Sequence, residues 1–211
     1  MIVIKNSVLR KAVKIAVPFV LIPAAISMGI FLFDEKQYAL ISLAVAILSL
    51  ALFIAGFEKK QTGTRRLIIV AVMVALSVVG RFIPLFKPIT ALTIITAIYL
   101  GGEAGFLVGS LSAVISNFYF GQGPWTPFQM FSWGLIGLLA GFLALPMKKS
   151  RVLLLIYGFL SGIVYSIIMD TWTVLWYNQS LDLTLYLTAL GTALPYTIMY
   201  SVSNVIFLLL F

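Results

Sequence analysis

Residues 37–57 read QYALISLAVAILSLALFIAGF, an unbroken apolar run without one charged side chain. A helix rises about 1.5 Å per residue, so a run of this length reaches across a hydrocarbon layer about 30 Å thick. Apolar runs of the same kind recur on both sides of it, at residues 12–33, 67–86, 104–120, 128–145, 152–169 and 183–211, with a shorter one at 89–100. The chain as a whole is 62% hydrophobic and 9% charged over 211 residues. A soluble domain with so little polar surface could not face water, whereas hydrocarbon accepts apolar side chains on the outside as well as the inside. The expected fold is an all-α integral membrane bundle.

The run at 89–100 is too short to cross unaided and could instead dip in and return. Charge placement decides between the two. If all eight runs cross, one side holds Lys5, Arg10, Lys11, Lys14, Lys59, Lys60, Arg65, Arg66, Lys148, Lys149 and Arg151, and the other holds only Lys36, Arg81 and Lys87. A re-entrant run would move Lys148, Lys149 and Arg151 to the opposite side and erode that asymmetry. Basic residues concentrate on the cytoplasmic face, so eight crossings with both termini in the cytoplasm are expected. A cleaved leader is the alternative for the N-terminus, but its apolar run is long and Pro18 and Pro23 make a poor cleavage site.

The net charge of +8 follows from this topology and does not call for nucleic acid. Cysteine and histidine are absent, which excludes disulfides, thiolate and imidazole chemistry and the usual soft metal sites. No nucleotide-binding loop, no Ser-His-Asp constellation and no paired carboxylates on one helix are present, so the chain is not expected to be an enzyme, and no cofactor or metal is expected.

The charged linker at 58–66 (EKKQTGTRR) divides an apolar helix pair, residues 1–60, from a six-helix remainder, residues 61–211. The remainder carries the features with functional content. Ala71 and Ala75 lie four apart and so share one helix face, where small residues let another helix approach closely. Ordinary packing inside the bundle would explain them equally well at this level. Gly105/Gly109, Gly137/Gly141 and Gly158/Gly162 have the same spacing and are assigned to internal packing.

Three outer connections combine rings with amides or a charge. They contribute Arg81 and Phe86; then Asn117, Tyr119, Gln122 and Trp125; then Asp170, Trp172, Trp176, Tyr177 and Asn178, with Gln129 and Trp133 just inside the second. An interfacial belt explains part of this enrichment. It does not explain why all four tryptophans sit in the outer half beside amides. Aromatic walls with a few directed polar groups are what a small-molecule pocket needs. Arg81 favours an anionic group on the substrate. Asp170 is read as interfacial and hydrated, with proton coupling as the other option.

Residues 65–211 resemble the substrate-binding (S) component of an energy-coupling factor (ECF) vitamin transporter. The likeness rests on the six-helix core, Ala71-xxx-Ala75, the Gly101-Gly102-Glu103 turn and the stretch at 117–142, NFYFGQGPWTPFQMFSWGLIGLLAGF. The resemblance implies that the chain is a subunit of an ABC-type importer in the bacterial cell membrane. It would capture a vitamin at the extracellular face and topple in the bilayer to deliver it. A transmembrane coupling protein (T component) and two cytoplasmic ATPases would supply the energy, and Ala71 and Ala75 would dock on the coupling protein. Among S components the sequence looks closest to the cobalamin-specific CbrT type, which makes cobalamin or a related corrinoid the expected substrate. Another vitamin or precursor, or a self-sufficient ion-coupled secondary transporter, is the alternative. The pair at residues 1–60 departs from the family pattern, either as a loosely tethered hairpin or as a constraint on toppling.

Overall fold

The computed structural model describes residues 6–32, 38–56 and 64–211. Lys5, Lys36, Lys59 and Lys60, and residues 58–63 of the linker, lie outside the described residues.

The first span begins at α1 (Ser7–Ala16), whose N-terminal amides are capped by the Asn6 side chain, and continues into α2 (Ile22–Leu32). Between them Val17–Leu21 form a wider π-helical stretch. Pro18 and Pro23 cannot donate to the helical ladder, and a local widening absorbs the missing bonds without breaking the rod. There follow α3 (Tyr38–Ala55), α4 (Thr64–Gly80), α5 (Ile89–Leu100), α6 (Gly102–Phe120), α7 (Thr126–Phe142), the short α8 (Ala144–Lys149), α9 (Arg151–Asn178) and α10 (Leu183–Leu210). Ser150 caps α9 and Asp182 caps α10, each accepting from a backbone amide three residues on.

Four stretches are long and apolar enough to cross a membrane unaided: Ser7–Ile30, Tyr38–Ala55, Arg151–Asn178 and Leu183–Leu210. In the most apolar window of each, only 22–33% of residues are buried inside the protein. Leu43, Ile47, Leu187 and Leu194 are among the many large apolar side chains that face outward. Water would not tolerate such an exterior, and lipid does. The chain is an all-helical integral membrane bundle.

The doubtful run becomes α5, and its surroundings explain its length. Ile89 to Thr93, with Ile94, Thr96, Ala97 and Ile98, are buried, and α4, α6, α7, α9 and α10 pack around them. A helix enclosed by protein need not match the thickness of the bilayer, because its ends meet other helices before lipid. Gly101 turns the chain from α5 into α6 with φ of +94°, a conformation that a side chain would strain.

The glycine pairs act as internal packing surfaces. A Cβ on Gly109 would fall 2.5 Å from the Trp133 carbonyl, and one on Gly105 would fall 3.0 Å from that of Gly137. The bare backbones of α6 and α7 therefore lie in contact. Gly158 and Gly162 bring α9 against Leu208 and Ser201 of α10 in the same way. Ala71 and Ala75 behave differently. On α4 it is Val70, Val74, Ser77 and Gly80 that point inward, while Ala71 and Ala75 are exposed beside Ile68, Val72 and Val79. Packing within the bundle does not account for the alanine stripe.

The first helix pair is not a loose appendage. Val45, Ser49, Leu52 and Phe53 of α3 are buried, and α3 packs on α6 and α7. Lys14 of α1 meets Glu103 at the start of α6, Nζ to Oε1 2.7 Å. Val17, Ile22 and Ile26 belong to the same apolar core as Ile94 and Phe106.

Candidate functional site

A cavity opens between α5, α7, α9 and α10, towards the end of the bundle that carries the α4–α5 connection. Arg81 and Lys87, from the connection joining α4 to α5, lie along it with Ile89 and Thr90. The first turns of α7 supply Gln129 and Trp133. The middle of α9 supplies Gly162 and Tyr165, and α10 supplies Tyr200 and Asn204.

Arg81 is held by neutral partners. Its Nη1 donates to Ser116 Oγ and to Asn117 Oδ1, the latter at 2.7 Å. Its guanidinium lies over the rings of Phe120 and Trp133, 4.8 and 5.4 Å from their centroids. Asn117 is the hub beneath it. While Oδ1 accepts from Arg81, Nδ2 donates to Thr126 Oγ1 at 2.9 Å and to Gln129 Oε1 at 2.8 Å. Gln129 then donates from Nε2 to the Tyr165 hydroxyl at 3.2 Å. A fully connected chain of this kind fixes side chains that a free helix surface would leave mobile. The rings complete the wall: Trp133 stacks on Tyr165 with centroids 4.9 Å apart, and Tyr200 meets Tyr165 edge-on at 5.7 Å.

Lys87 is anchored through its backbone, which both donates to and accepts from Ser203 Oγ of α10. Its ammonium hangs over the same Phe120 ring at 5.5 Å. Burial, and then the neighbouring Arg81 charge, hold that ammonium below its ordinary pKa.

Of the residues anticipated from sequence, Arg81, Gln129 and Trp133 line this cavity and Asn117 organises it from below. Trp172 and Trp176 line a second, smaller hollow, walled by Ile26, Ile30, Tyr38 and Ile41 of the first helix pair and by Phe128. Trp125 packs edge-on to Trp172, 6.1 Å between centroids. Phe86 is half-buried, and Tyr119 is exposed against Phe82 and Phe120. Gln122 is turned to the Val114 carbonyl, while Tyr177 and Asn178 are exposed at the end of α9. Asp170, expected to be hydrated, is 9% exposed within α9, with Ser166 Oγ 3.5 Å from Oδ2. No cluster of metal-ligating side chains occurs among the described residues.

Sequence reasoning did not select Lys87, Tyr165, Tyr200 or Asn204, which also line the cavity. The two tyrosines carried a usable signal. They sit in mid-helix, away from the interfacial belt, where a hydroxyl has to find a partner inside the protein.

An all-helical membrane bundle that encloses a polar-and-aromatic cavity at one end has the form of a solute-capturing membrane subunit. Residues 61–211 match the family model described as ECF-type riboflavin transporter, S component. The chain belongs to that family. No curated protein and no solved structure matches it at the threshold applied. Membership makes the chain a substrate-binding subunit of a transporter and not a catalyst. The expected cobalamin preference finds no support, since the matching family is described by riboflavin.

Proposed function

We propose that the chain captures a flat, ring-bearing vitamin of flavin size at the extracellular face and hands it to an ATP-driven coupling module. The observation that carries this is the outer cavity, with Trp133, Tyr165 and Tyr200 as ring surfaces and Gln129 and Asn204 as directed polar groups. The flavin scale follows the family's description by riboflavin, and the ring and amide lining suits a small ring-bearing solute.

In this reading residues 61–211 form the substrate-binding domain and residues 1–60 an added pair buttressing its α6–α7 side. Both termini lie in the cytoplasm of a bacterial cell. A T component docks on the Ala71/Ala75 stripe, and two ATPases drive release. Reconstitution tests the division of labour. Proteoliposomes with the chain, the T component and both ATPases should accumulate vitamin on addition of ATP. The chain alone, under an imposed proton gradient, should accumulate none; accumulation there would overturn the subunit reading.

A further inference from the structure

The cavity holds two cations and, among the described residues, no acid. Glu103 is at the opposite end of the bundle with Lys14, Asp170 faces Ser166, and Asp182 caps α10. Arg81 is 9% exposed, and its Nε is buried without a hydrogen-bond partner. Lys87 Nζ finds the Phe120 ring face and no carboxylate. Ser116, Asn117 and two ring faces solvate the Arg81 guanidinium, but none of them carries a compensating charge. Buried charges in proteins are ordinarily paired, and two like charges beside one hollow repel. A site left in this state is electrostatically incomplete.

We infer that the ligand brings the missing counter-charge: the cavity takes an anionic form of a ring-bearing vitamin or precursor. A phosphate ester or carboxylate would lie against Arg81 and Lys87, with the ring among Trp133, Tyr165 and Tyr200. This rests on the cavity being the vitamin site. It departs from the family's description in one respect, because riboflavin is uncharged.

Three charge-matched pairs test it on the purified full chain by calorimetry: riboflavin against riboflavin 5′-phosphate, pyridoxine against its 5′-phosphate, and nicotinamide against nicotinate. For any ring that binds, the anionic member should bind at least about tenfold tighter, the scale of one charge-assisted hydrogen bond. The phosphate and carboxylate pairs separate the two anion chemistries. In Lys87→Gln the ratio of anionic to neutral affinity should fall towards one, a readout that a purely structural role would not move. Lys87 is suited to this because its hydrogen bonds to the rest of the fold run through its backbone. Equal or tighter binding of the neutral member, or a ratio unchanged in both Lys87→Gln and Arg81→Gln, would overturn the inference and leave vitamin capture standing. Binding of neutral vitamins only would do the same. Failure of every vitamin to bind would overturn the capture reading as well.

Discussion

Replacing Ala71 with tryptophan is expected to abolish vitamin uptake in the reconstituted transporter while leaving ligand affinity within about twofold of wild type. The alanine face of α4 is exposed to the surroundings of the bundle, and its inward positions are Val70, Val74 and Ser77. A bulky ring at residue 71 therefore meets no atom of the chain's own core. It stands the docking helix away from the backbone by several ångströms, and dispersion falls off steeply over such a gap. Association of helices in lipid depends on that close contact, because the tails compete equally for apolar surface. Ala75→Trp should act in the same way, whereas Val79→Trp, on a flank already bulky and 66% exposed, should be milder. Uptake assays and titrations on the same preparations check all three. Wild-type uptake by Ala71→Trp would remove the docking assignment.

The second large effect concerns ligand capture. Trp133→Ala should weaken binding on the order of tenfold. Trp133 is 6% exposed, so it acts less by direct cover than by stacking on Tyr165 and carrying the Arg81 guanidinium over its face. Each such contact contributes about 0.5–1.5 kcal/mol, and about 1.4 kcal/mol is a factor of ten. Truncation also removes a stacked neighbour of Tyr165, so a lower melting temperature is expected, and Trp133→Phe should recover part of both losses. Trp176→Ala is the matched control. It shares the outer location but lines the separate hollow against the first helix pair, and affinity should be retained. Equal losses from the two variants would mean that the outer tryptophans serve one site.

These contrasts show what the sequence could and could not say. The bundle was legible because each long span writes its own apolar run, and the short run was legible as the helix α5. The tight α6–α7 and α9–α10 seams were legible for the same local reason, since glycines four apart share a face. The exposure of Ala71 and Ala75 was not, because a small-residue stripe looks the same whether it meets its own bundle or a partner. The site was half legible. Rings and amides in the outer connections pointed to a pocket, and Arg81, Gln129 and Trp133 do line one. Which rings share a hollow depends on how α9 and α10 are rotated against α7, and no local pattern encodes that. Tyr165 and Tyr200 thus join the cavity, while Trp172 and Trp176 turn towards α2 and α3.

The corrinoid expectation rested on resemblance to the CbrT type and finds no support in the matching family. Most of the amides read as pocket groups are also used by the fold itself. Asn117 bonds Arg81, Thr126 and Gln129; Gln122 bonds the Val114 carbonyl; Asn178 bonds Ser180. Of the two readings of the N-terminal pair, its packing favours the constraint over the loose hairpin: Phe53, Leu52 and the Lys14–Glu103 pair tie it to α6. Any reorientation in the bilayer must then carry all the spans together.

Calorimetric titration of the purified chain with the vitamin panel, in detergent and without ATP, T component or ATPases, is the most direct measurement. Saturable binding of one ligand per chain, weakened on the order of tenfold in Trp133→Ala and unchanged in Trp176→Ala, is the predicted result. Absence of saturation with every vitamin, or affinity indifferent to Trp133, would contradict capture by the outer cavity.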